Sequence, residues 1–170
     1  DKIKSESSKK NIYDITKMNV DSSLGYKKKY RIQHINAFDL DDEFEALSQK
    51  FPEGGVKALY FDVRDESASK QAIMQIKKEQ GRLDILVNNA GVMKDALIGM
   101  VSTNLMKEIF DTNVIGLANM LQLATKLMKR QNSGSIVNLS SIVGIEGNAG
   151  QLAYSASKGA VAAITKTASK

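Results

Sequence analysis

The sequence predicts an α/β fold built on a doubly wound parallel sheet. Short apolar runs alternate with stretches of helical period, and the runs are too apolar to face water on either side. Each run also leads directly into a polar or glycine-bearing step, as happens at the carboxyl ends of parallel strands.

Taken in order, residues 1–30 have weak periodicity and many Lys, Ser and Asn, and read as a basic, irregular arm with "NIYDIT" (11–16) as a possible strand. Nine of the 24 basic side chains but only four of the 19 acids lie in residues 1–31, so the net charge of +5 resides there and the body is neutral. A solvated terminus explains that charge better than a nucleic-acid face, and no nucleic-acid partner is expected. Residues 31–170 form the domain. "RIQHINAF" (31–38) reads as a strand, and "LDDEFEALSQKF" (40–51) as a helix with an acidic first turn, stopped by Pro52, Gly54 and Gly55. "VKALYFDV" (56–63) is a second strand and "DESASKQAIMQIKKEQ" (65–80) a second helix, closed by Gly81. "LDILV" (83–87) is a continuous apolar run, then a long helical zone spans about 103–130 with Asn113 in its middle. "GSIVNLSS" (134–141) reads as another buried strand, "IVGIEGNAGQ" (142–151) as a glycine-rich loop and 152–169 as the last helix.

Composition narrows the chemistry. With no cysteine, disulfides, thiolate metal sites and cysteine nucleophiles are excluded, and a single histidine, His34, rules out a multi-histidine cluster, so no metal is expected. No run approaches the ~20 apolar residues of a membrane span, and the opening residues lack a secretory pattern. A cytoplasmic protein without a membrane partner is the expectation.

Ligands of doubly wound sheets bind beyond the carboxyl ends of the strands. That rule selects Asp39, Asp62 with Val63, "NNAG" (88–91) and Ser140 with Ser141. Tyr154 and Lys158 stand four apart and share a helix face. An ammonium near a phenol favours the phenolate, which suits a tyrosine that gives a proton to a carbonyl oxygen as hydride reaches its carbon. Ser141 would hydrogen-bond the same oxygen.

The segments "LDILVNNAG", "DTNVIG", "IVNLSSIVG" and "YSASKGA", in this order and spacing, resemble four motifs of the short-chain dehydrogenase/reductases, from about residue 35 to the end. The resemblance implies a Rossmann-like fold and an NAD(P)-dependent oxidoreductase that reduces a ketone to a secondary alcohol. It assigns catalysis to Asn113, Ser141, Tyr154 and Lys158: Tyr154 as general acid, Lys158 lowering its pKa and bonding the nicotinamide ribose, Ser141 on the substrate carbonyl. Asn113 is implied to hold a water that links Lys158 to solvent. Cofactor contacts fall on Asp39, Asp62, Val63, Asn88, Ala90, Gly91, Tyr154 and Lys158, with Asp39 favouring NAD over NADP through the adenosine ribose hydroxyls. "GNAGQLAYSASKGAVAAITK" looks most like the 3-oxoacyl-carrier-protein reductases of fatty acid biosynthesis, which implies a small or acyl-carrier-bound carbonyl substrate and a homotetramer.

The family's opening T-G-x-x-x-G-x-G turn, which receives the cofactor pyrophosphate on a helix N-terminus, is not recognisable, since the first 50 residues hold one glycine, Gly25. The part that follows the last helix in the family is expected to lie beyond Lys170. The fold is therefore expected to be incomplete, and the alternative is a truncated or non-catalytic relative that works as a binding protein.

Overall fold

The computed structural model describes residues 59–170. The arm at 1–30, the strand at 31–38, the helix at 40–51 and Asp39 lie outside them. Residues 59–62 are irregular and the chain turns at Val63 and Arg64, so the described end of the expected 56–63 strand carries no ladder. The turn is fixed locally: Asp62 O accepts from the Asp65 amide at 3.0 Å, and the Asp62 carboxylate accepts from the Arg64 backbone at 2.9 Å.

Helix α1 runs Glu66–Gln80. The Asp65 carboxylate caps it by accepting from the Ala68 amide at 3.0 Å, and Gly81 closes it at φ 72°, a left-handed turn that favours glycine. Glu66 in the first turn and Lys77 and Lys78 in the last complement the helix dipole. Ser69, Ala72, Ile73 and Ile76 form its buried stripe.

Strand β1 (Ile85–Asn88) follows, and β2 (Ser135–Asn138) pairs with it in parallel, Ile85 opposite Ser135 and Asn88 opposite Asn138. A parallel pair needs a long crossover. Here it is α2 (Thr103–Phe110), a π turn at Asp111–Gly116, and α3 (Leu117–Arg130). The expected single helix at 103–130 is thus continuous but holds one wide turn, at the segment with Asn113. Ser102 caps α2 through the Leu105 amide at 3.1 Å. At the far end, the Gln131 amide clamps the entry to β1: its Nε2 donates to Leu83 O at 2.6 Å and its Oε1 accepts from Leu83 N at 3.2 Å.

Two expectations need correction. β2 is not a buried strand. Its residues alternate between half-buried and exposed, and the sheet face bearing Ile85 and Val137 is open, at 45% and 43% exposure, while Leu86 and Asn88 on the other face are buried. An apolar run records affinity for cover, not the cover itself, and among the described residues that face has little. Nor is 142–151 wholly a loop: Val143–Glu146 form one helical turn, α4, ended by Gly147 at φ 75°. Of the glycines that argue for a loop, Gly144 serves the close packing of α4 on the last helix, α5 (Leu152–Ala168), while Gly147 and Gly150 stand at positive φ with open space around them.

The core joins α1, α2, α3 and α5 through Ile73, Ile76, Ile109, Met120, Ala124, Leu127 and Val161, all 7% exposed or less. Gly116 brings the π turn against Val63, since a Cβ there would lie 3.0 Å from the Val63 Cβ. No described helix is long and apolar enough to cross a membrane.

Candidate active site

After β1 the chain passes through Asn89, Ala90 and Gly91 into a segment without regular structure that reaches an isolated bridge at Ala96. Asn113 holds this turn from the crossover. Its Oδ1 accepts from the Val92 amide at 2.8 Å, and its Nδ2 donates to Val92 O at 2.9 Å and to Ser157 Oγ at 3.0 Å. With 1% exposure, the side chain is a bracket between the post-β1 turn and α5. The π turn explains how a helical residue reaches both, because an extra residue in one turn changes the direction of the side chains it carries.

On α5, Lys158 is 6% exposed, and its Nζ donates to Leu139 O at 2.7 Å. Burial lowers its pKa from the ordinary lysine value. The same Nζ lies 5.7 Å from the centre of the Tyr154 ring. A Cβ on Gly91 would sit 3.4 Å from Asn113 Oδ1 and 3.7 Å from Lys158 Nζ, so the glycine forms one wall of the space around the amine. Lys158 is also held through its backbone, as Ser140 Oγ donates to Lys158 O at 2.8 Å. Gly144 abuts the same peptide: a Cβ there would come within 2.7 Å of the Lys158 carbonyl carbon and of Gly159 N.

Asn113, Gly91, Tyr154 and Lys158 are therefore brought together. Ser141 is half-buried at the turn into α4, its carbonyl accepting from Gly144 N at 3.0 Å. Asn88 points into a different network, donating to Asn138 Oδ1 at 2.8 Å, while Asn138 donates to Thr165 Oγ1 on α5 at 3.0 Å. That chain of amides ties both strands to α5. Asp62 pairs with Arg64, which raises the Arg64 guanidinium's pKa, and the Val63 side chain is core at 4% exposure. No group of three or more His, Cys, Asp or Glu suited to a metal occurs among the described residues.

The short chain dehydrogenase family model matches residues 29–170. The chain belongs to this family. Among relatives of this short chain dehydrogenase, 3-oxoacyl-[acyl-carrier-protein] reductase FabG of Staphylococcus aureus is 38% identical over 138 residues, covering 80% of this chain and 56% of the relative. The FabG of Thermotoga maritima is 39% identical, covering 69% of this chain and 48% of its own. Acetoacetyl-CoA reductase of an Acinetobacter strain is 37% identical, covering 70% and 48% respectively. A solved structure, ElxO with NADP bound, superposes with a TM-score of 0.69 at 32% identity, covering 75% of this chain and 53% of that one. The chain thus spans about half the length of the curated relatives it matches.

Four groups of this family member's site were not singled out from the sequence: the Leu139 carbonyl, the Ser140 hydroxyl in its contact with Lys158, Gly144 and Ser157. Backbone acceptors leave no sequence signal. Ser157 had a weak one, since residues 154 and 157 share a helix face as 154 and 158 do.

Proposed function

We propose that this chain carries the proton-transfer part of an NAD(P)-dependent reductase that converts a ketone to a secondary alcohol. The substrate is a 3-oxoacyl thioester or a small carbonyl, free or carrier-bound. One observation carries the reading: a desolvated lysine lies beside a tyrosine on one face of α5, opposite the glycine turn that ends β1. A buried ammonium stabilises an adjacent phenolate more strongly than a solvated one does, because the lower effective dielectric strengthens their attraction.

In this reading Tyr154 donates its phenolic proton to the substrate oxygen, and Ser141 hydrogen-bonds the same oxygen as negative charge develops on it. Lys158 makes the phenolate accessible and holds the nicotinamide ribose. When bound, the nicotinamide cofactor supplies the hydride. The residues suit such a group on one structural ground: Gly91 offers no side chain beside Lys158 Nζ, so a ribose hydroxyl can approach the amine from that side. The resemblance assigns the remaining cofactor contacts to Asp39, Asp62, Val63, Asn88, Ala90 and Gly91 and, through Asp39, favours NAD, whereas the similar ElxO structure holds NADP. Asn113, whose amide is engaged by Val92 and Ser157, is read as the residue that holds a water linking Lys158 to solvent.

We also propose a cytoplasmic homotetramer, with the sequence divided into a basic arm at 1–30 and the reductase domain at 31–170. The test is fluorescence titration of the chain with NADH and NADPH in parallel, followed by reduction of acetoacetyl-CoA. Tyr154→Phe is expected to lower turnover by about 10²-fold or more, the scale of a lost general acid, while leaving cofactor binding in place. Absence of binding for both dinucleotides would count against the reductase and favour a binding role.

A further inference from the structure

Ser157 stands between the two residues that the proposed reaction uses. It is fully buried at 0% exposure, and its hydroxyl is engaged on both sides. It accepts from Asn113 Nδ2 at 3.0 Å and donates to the Tyr154 carbonyl at 2.7 Å. A hydroxyl that bonds back to the carbonyl of the preceding turn adds a second donor to that oxygen and bends the helix locally. Here the carbonyl belongs to the residue whose phenol is assigned the proton, and the next residue along is Lys158.

We infer that Ser157 is a positioning residue for the Tyr154–Lys158 pair, acting through the Tyr154 carbonyl and braced by Asn113. The inference rests on the reductase reading of that pair. The path is continuous: Val92 fixes Asn113, Asn113 fixes the Ser157 hydroxyl, and Ser157 fixes the helical turn on which the phenol and the amine are mounted. From the other side Ser140 holds Lys158 O at 2.8 Å, and Gly144 admits α4 against the same peptide. The turn is gripped at the carbonyls of both of its functional residues. Removing the Ser157 hydroxyl removes one grip and leaves an Asn113 amide proton without its acceptor. The separation of Nζ from the ring is then no longer fixed, and the phenol's proton affinity follows that separation.

The full chain labelled at the tyrosine ring carbon that bears the hydroxyl gives five tyrosine signals, with Tyr154 assigned by its loss in Tyr154→Phe. In Ser157→Ala the Tyr154 titration midpoint is expected to move by about half a pH unit or more, roughly threefold in proton affinity, with circular dichroism unchanged. An unmoved midpoint in a folded variant overturns the inference. Should Ser157→Ala fail to fold, the wild-type chain decides: the Asn113 side-chain amide protons must exchange with solvent more slowly than those of exposed Asn132, and equal rates overturn the inference. Neither readout requires turnover, so a chain that fails to bind NADH or NADPH refutes the reductase reading while the titration still reports on Ser157.

Discussion

On the surface, Lys94 meets Glu108 at 2.6 Å and Arg82 meets Asp84 at 2.5 Å, each with about half of its side chain in water. Beneath α5, Asn113, Ser157 and Val92 meet without a formal charge between them and with both side chains at 1% exposure or less. The first arrangement uses strong groups where water weakens them. The second uses weaker groups where each unmet bond is expensive, since a buried donor or acceptor left alone forfeits its hydration. The polar interactions that fix this fold therefore lie in its neutral interior rather than in its ion pairs.

Asn113→Ala should break that contrast most severely. It strips the Val92 amide, the Val92 carbonyl and Ser157 of a shared partner, with an expected loss of about 3 kcal/mol in urea unfolding. Gly144→Ala comes next, at about 2 kcal/mol. Its new Cβ would meet backbone at 2.7 Å, which no rotamer change relieves, so a separation of α4 from α5 should accompany the loss and be visible as faster amide exchange around Lys158.

Lys158 sharpens the comparison because it is the charged group inside the neutral region. Burial lowers its pKa from 10.5, so between the depressed value and 10.5 the unfolded chain binds more protons than the folded one. Stability should therefore rise with pH through that window, and Lys158→Met should flatten the rise in denaturant midpoints measured from neutral to alkaline pH. The smallest effect belongs to the surface: Lys94→Ala should cost about 0.5 kcal/mol or less, and the difference should fade in high salt.

The same contrast explains what the sequence made legible. β1 and α5 are written in composition: an apolar run that must be covered, and a stretch of small and helix-compatible residues. Asn113, Ser141, Tyr154 and Lys158 stood out because their spacing resembles a family pattern. The π turn did not, because "DTNVIG" is equally compatible with an ordinary helical turn. The difference lies in which carbonyl each amide selects. α4 is hidden by the glycines in and after it, which usually argue against a helix, although Gly144 here permits backbone to approach backbone. The open face of β2 was hidden for another reason, since Val137 looks the same in a sequence whether or not a helix covers it. Ser157 is one small residue among many in the sequence, and only the arrival of Asn113 from 44 positions away gives it a role.

The wide turn at Asp111–Gly116 takes in one more residue than an α turn would between α2 and α3, as if a link had been let into a chain. Each residue of an α-helix advances it by about 100°. Keeping every residue and forcing regular α-helical bonding along the crossover would rotate everything downstream by about that angle relative to everything upstream. The bracket to Val92 and the seat of Gly116 on Val63 could not then both survive. Local irregularity at this turn is thus a spacer of fixed size, and the most regular helix the segment could form is one that the site could not tolerate.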